Sequence, residues 1–158
     1  MGRKKVIRRK RSRSAPKQQN RWTLIFDSKE AAVNLYSILL AFHQSRGGGL
    51  IDRKGVRHIA KWLRNISEQV PDVRDLADDS QGPFRERDLS PINVSLRLDS
   101  GERALMLFIC STIHRQLTTP EGRHNWIENQ GRADYEIAVK NYQSWLDSLE
   151  GEGEPADG

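Results

Sequence analysis

Apolar and polar residues alternate in two short segments of the chain, residues 22–26 and 94–98. Such alternation is typical of a β-strand that buries one face. Each segment is followed by an Asp-Ser pair, and a glutamate stands three residues after each aspartate, as in Asp27…Glu30 and Asp99…Glu102. This spacing is that of a capping box at the start of a helix. The pattern therefore predicts a strand that leads directly into a helix at two places.

Apolar residues then recur every three to four positions, which is the period of an amphipathic helix. Two predicted helices start at the Asp-Ser pairs and end at about residues 45 and 116. Three others cover residues 53–69, 119–131 and 133–149. Three consecutive glycines, residues 47–49, end the first of them. Residues 71–91 are rich in Asp, Pro and Gly and predict a long loop with one short helical turn.

The two strand-and-helix segments resemble each other. When residues 21–44 are placed over residues 93–116 without gaps, seven of 24 positions are identical, where chance would give about one or two. An amphipathic helix with a tryptophan, Trp62 or Trp145, follows each segment. This indicates an internal duplication of a strand-helix-helix unit, although strand-to-helix corners are often alike because Asp-Ser is a common cap.

We therefore predict an α+β fold, mostly helical, in which about four main helices cover a short two-stranded sheet. Residues 22–149 form the single globular domain, with repeat units at about residues 22–70 and 92–149 and an acidic loop, residues 71–91, between them. A disordered basic arm, residues 1–21, precedes the domain, and a disordered acidic tail, residues 150–158, follows it. A lone two-stranded ribbon is marginally stable, so homodimerisation through a strand edge or a helix face is a further expectation.

Charge is segregated along the chain. The first 21 residues contain ten lysines and arginines and no acid: Arg3, Lys4, Lys5, Arg8, Arg9, Lys10, Arg11, Arg13, Lys17 and Arg21. The whole chain has 26 basic and 21 acidic residues, so residues 22–158 hold 16 basic residues and carry a net charge of −5. A cationic arm of this kind binds polyphosphates by releasing counterions, with little sequence preference. Its alternatives are a nuclear-localisation patch, a contact with an anionic membrane, an acidic protein partner, or the acidic body of the chain itself.

The second predicted helix carries a further basic row. Its members are spaced by four, four and three residues and face away from the apolar stripe: Arg53, Arg57, Lys61 and Arg64. Lys54 and His58 flank them. The row could follow a phosphate backbone, and the alternative is an ordinary solvated helix face.

No convergent nucleophile, base and orienting residue appear in the sequence, so we expect a non-enzymatic protein without a cofactor. The four histidines show no metal-ligand spacing, and the single cysteine, Cys110, lies in an apolar run that predicts a buried thiol. No apolar stretch is long enough to span a bilayer. The leading hypothesis is an intracellular, cytoplasmic protein, nucleoid- or nucleus-associated in one version, that binds DNA or RNA. The alternative is a protein-interaction or assembly module whose arm serves as a targeting segment or binds an acidic partner.

Overall fold

The computed structural model describes residues 20–78 and 91–155, and within them it confirms a mostly helical α+β fold. The strands are β1 (Asn20–Ser28), β2 (Pro91–Leu98) and β3 (Glu154–Pro155). The helices are α1 (Lys29–Gly49), α2 (Arg53–Gln69), α3 (Val73–Asp78), α4 (Ser100–Thr118), α5 (Pro120–Gln130) and α6 (Arg132–Glu150). Nine of the ten predicted arm cations, the loop residues 79–90 and the tail residues 156–158 lie outside the described residues.

The sheet has the strand order β2-β1-β3, and both pairings are antiparallel. The alternating apolar side chains of β1 and β2 form its buried face, as predicted: Trp22, Leu24, Phe26, Val94, Leu96 and Leu98. β3 is a difference from the prediction, because Glu154–Pro155 lies in the segment expected to be a disordered tail. β1 also begins at Asn20, two residues before the predicted start of the domain, because Asn20 and Arg21 pair with β3.

The pairing of β1 with β2 has an internal twofold symmetry. Leu24 pairs with Leu96, while Trp22 pairs with Leu98 and Phe26 with Val94. If each residue of β1 is replaced by the β2 residue 72 positions later, and each β2 residue by the β1 residue 72 positions earlier, the same pairs result. The pseudo-twofold axis therefore passes between Leu24 and Leu96. The sheet therefore has the register that a strand pairing with its own copy would adopt.

The four long helices follow the same symmetry. α1 packs against α2 as α4 packs against α6, and the second helix of each unit packs on the strand of the other unit, α2 on β2 and α6 on β1. Trp62 and Trp145 are both buried in this core, as expected of anchors in comparable places. The packing agrees with the predicted pair of units; the duplication itself stays a prediction.

The gapless alignment of the two units does not hold in the helices. Ser28, not Asp27, caps α1 by accepting a hydrogen bond from the backbone N–H of Ala31, and the strand pairing shifts between Phe26 and Ser28. Only Asp99 forms the predicted capping box. The extra residue before α1 shifts its buried face by one position, so that Leu35 corresponds to Met106 rather than to Leu107. Of the seven sequence identities, only Leu24 and Leu96 therefore occupy structurally equivalent positions.

Both long strands have part of their outer edges covered. The side-chain amide of Gln69, at the end of α2, accepts from the N–H of Ser95 at 3.2 Å and donates to its carbonyl at 2.9 Å. On the other side, the indole N–H of Trp145 donates to the carbonyl of Ile25 at 3.2 Å, and β3 occupies the first two residues of β1. These contacts protect the edges from pairing with a second chain. They weigh against the expectation of a dimer formed through a strand edge.

Candidate nucleic-acid interface

The basic row lies on α2, whose bounds agree with the predicted residues 53–69. Asp52 caps the helix by accepting a hydrogen bond from the N–H of Gly55 at 2.8 Å. One side of α2 packs into the core through three fully buried side chains: Ile59, Trp62 and Ile66. At 100° per residue the cations lie opposite this stripe, so the fold holds the row towards solvent.

Three of the four predicted row residues are exposed and without an ionic partner. Arg53, Arg57 and Arg64 make no salt bridge with any residue in the described ranges 20–78 and 91–155. Lys54 is also exposed beside them. From Arg53 to Arg64 the helix rises about 16 Å. We call Arg53, Arg57 and Arg64 the arginine row; its guanidinium groups are available to an anion.

Lys61 has a different environment from the one predicted. Its ammonium donates to a carboxylate oxygen of Glu102 at 2.9 Å, and the Glu102 side chain is only 3% exposed. His58 lies 3.8 Å from the same oxygen and stacks on Trp62 with ring centroids 6.2 Å apart. Lys61 and His58 therefore lie beside the first turn of α4, where Glu102 is the ionic partner of Lys61. Lys61 therefore differs from the three arginines in having an ionic partner, and its place in the binding row stays a prediction.

The root of the arm is held at the same turn of α4. The guanidinium of Arg103 lies over the Trp22 ring, 4.9 Å from its centroid, and the Trp22 indole N–H donates to the carbonyl of Gly151 at 2.9 Å. Arg103 directly follows Glu102, the partner of Lys61. The start of β1 and the middle of α2 are thus joined through two consecutive residues of α4.

Of the predicted arm residues, Arg21 is the one within the described part of the chain. It is partly buried in β1, where it pairs with Glu154, and Asn20 donates its side-chain amide to the carbonyl of Glu152 at 2.9 Å. The glutamates of the tail therefore run beside the root of the arm. This places an acidic strip next to the point from which the cationic segment starts.

Two arginines that sequence analysis did not select also belong to this region. Arg97 is exposed on the outer face of the sheet, opposite Thr23, and Arg103 packs on Trp22. The alternation of β2 could have identified Arg97, because it occupies an outward position between two buried leucines. No local signal distinguishes Arg103, since its role depends on contacts with residues far away in the sequence.

Cys110 is fully buried, as predicted, and burial raises the pKa of its thiol to about 12. Among the described residues, no three His, Cys, Asp or Glu side chains come together in a way that could hold a metal ion. Within the same ranges, no helix has both the length and the apolar character required to cross a bilayer. In comparisons with known proteins, no family model, no curated protein and no solved structure matches this chain.

Proposed function

We propose that this protein is a non-enzymatic, nucleic-acid-associated protein that binds phosphate backbones. The N-terminal arm supplies most of the affinity, and the arginine row on α2 extends the contact along the folded domain. The observation that carries the proposal is the row itself, in which Arg53, Arg57 and Arg64 are exposed and unpaired among the described residues. Lys61, the remaining residue of the predicted row, differs from these arginines because its ammonium is paired with Glu102.

The position of the arm supports the proposal. Its root at Asn20–Trp22 is fixed to the first turn of α4, which also contacts α2 through Lys61 and Glu102. The root of the arm and the helix with the arginine row are therefore both anchored to one turn of α4. Because arginine donates in a fixed fork that matches phosphate oxygens, three such residues along about 16 Å of helix suit a backbone rather than a single anion. Phosphate contacts of this kind carry little sequence information.

The test compares two triple substitutions of equal charge. R53Q/R57Q/R64Q removes the arginine row, and R74Q/R132Q/K140Q removes three exposed cations of α3 and α6. Fluorescence anisotropy with a labelled RNA strand and a labelled DNA duplex measures the affinity of each. Loss of three phosphate contacts should weaken binding about 100-fold at about 0.1 M salt, whereas the control should change it little. Equal losses for both variants would show that only net charge matters and that α2 is not the interface.

The same experiment separates the alternative function, an assembly module with an acidic protein partner. If the full chain binds neither polynucleotide at low salt, the arginine row and the arm would be left to bind an acidic protein. That complex would persist after nuclease treatment, whereas a nucleic-acid complex would not.

A further inference from the structure

A cavity of about 620 Å³ opens between the last turns of α4 and the whole of α5. Its apolar part is formed by Ile38 of α1 together with Ile113 and Leu117 of α4. The volume is within the usual range for pockets that bind small molecules, about 300–1,000 Å³. The cavity lies at the end of α4 opposite the root of the arm, so it is separate from the interface on α2.

The walls of the cavity are fixed by a close contact between the two helices. Thr119 caps α5 by accepting a hydrogen bond from the N–H of Gly122 at 3.1 Å. A Cβ atom on Gly122 would lie 1.7 Å from the carbonyl oxygen of Gln116, which no packing tolerates. Only glycine allows α5 to start this close to the end of α4. The shape of the cavity is therefore formed before any ligand arrives.

Side-chain amides dominate the polar lining of the cavity. They come from both helices, and the first three of them are exposed: Gln116, Asn125, Asn129 and Gln130. Asn125 and Asn129 are four residues apart and so share one face of α5. Between them along the chain is Trp126, whose indole N–H is buried without an acceptor in the described part of the protein.

We infer that this cavity binds a single nucleobase, either of a free nucleoside or of a base within a strand. An amide presents a donor and an acceptor side by side, which matches the adjacent donor and acceptor groups on base edges. Trp126 adds an aromatic surface to the lining. The two charged lining residues, Arg115 and Glu121, have opposite signs, which suits a neutral ring better than a polyanion. The inference goes beyond the proposed function, since it does not need phosphate contacts by the arm.

The test uses the full chain and four probes: adenosine, guanosine, cytidine and uridine. NMR follows the indole N–H of Trp126 and the side-chain amides of Asn125 and Asn129 during each titration. At least one nucleoside should shift these signals with a Kd of about 1 mM or tighter. N125A/N129A should weaken that binding about tenfold or more, whereas the control Q44A/Q143A, which changes exposed amides on α1 and α6, should not.

A parallel titration with an abasic oligonucleotide and its base-containing counterpart identifies the source of the base. If nucleosides give no shift but the base-containing strand does, and the abasic strand does not, the cavity takes a base from a strand. If neither nucleosides nor strands move the three residues, the inference is wrong. Binding of strands through the arginine row alone would leave these signals unchanged, so the proposed function can succeed or fail separately.

Discussion

The ammonium of Lys61 and the carboxylate of Glu102 are 2.9 Å apart, and this pair joins α2 to the first turn of α4. The other carboxylate oxygen of Glu102 accepts from the backbone N–H of Asp99 at 3.0 Å, while Asp99 accepts from the N–H of Glu102 at 2.8 Å. The same glutamate thus completes a helix cap and receives a cation from another helix. Because Glu102 is buried, its negative charge depends on these partners.

Replacing Glu102 by glutamine should destabilise the fold by about 2 kcal/mol, since an amide would place its own N–H donors against either Lys61 or the Asp99 N–H. K61Q should cost less, about 1 kcal/mol, because Lys61 is half exposed and the cap remains. Urea denaturation measures both. A smaller loss for E102Q than for K61Q would contradict this account of the pair.

Gly122→Ala should lower stability by about 1–3 kcal/mol, because the new methyl group meets the carbonyl of Gln116 and must push α5 away. Gly101→Ala is the matched control, since it also lies in the first turn of a helix and its Cβ would meet nothing closer than 3.6 Å. The control should be neutral or slightly stabilising. Thermal melting compares them, and similar melting temperatures would show that the contact between α4 and α5 is looser than described.

Gly153→Ala should release the tail from β1. Gly153 has φ +77, a conformation that alanine rarely adopts, and a Cβ there would lie 2.7 Å from the Trp22 ring. Alanine would therefore be strained both in its backbone and by this contact. Gly151→Ala, with open space around it, is the control. Hydrogen exchange of the Arg21 amide, which lies opposite Glu154, should accelerate in the first variant only. Unchanged exchange in Gly153→Ala would mean that β3 does not depend on this approach.

Stability should fall at alkaline pH because of two buried acids. Burial raises the pKa of Cys110 from 9.0 to about 12. Burial is also the main cause that raises the pKa of Tyr142 well above 10.0, and the charge of Cys110 is a smaller cause. The folded state keeps protons that the unfolded chain releases, so stability is full below pH about 9 and decreases towards pH about 12. Each group contributes a slope of at most about 1.4 kcal/mol per pH unit.

C110A tests this dependence. The variant should be less stable at neutral pH through the lost packing, but its urea midpoint should fall less steeply with pH above about 9 than that of the unchanged protein. Parallel curves for the two proteins would contradict the buried-thiol explanation.

The sequence predicts the features of this fold that depend on local pattern. α2 agrees with its predicted bounds because an apolar stripe and Pro71 define it. The regular part of α1 ends close to the predicted residue 45, because Arg46, Gly47 and Gly48 adopt left-handed conformations. The arginine row follows from the same helical period. Each of these features can be predicted from residues that lie within a few positions of each other in the sequence.

The features that the sequence did not predict depend on distant contacts. β3 is a two-residue strand in a Gly- and Glu-rich segment, and it forms because β1, more than 130 positions earlier in the chain, offers a free edge. The role of Lys61 depends on Glu102, 41 residues away. Asp27 and Ser28 were equal candidates for the α1 cap, and the register shift in the sheet selects Ser28. None of these choices is visible in a local window.

The salt dependence of polynucleotide binding tests the central claim most directly. It compares the full chain with a chain that starts at Asn20, which keeps all of β1 but removes the nine cations before it. In the full chain the logarithm of the binding constant should fall steeply as the logarithm of the salt concentration rises. In the shortened chain this slope should be shallower by several units, because each lost phosphate contact with duplex DNA reduces it by about 0.9. Equal slopes, or no binding by the full chain even in dilute buffer, would contradict the claim that the arm and α2 bind phosphates.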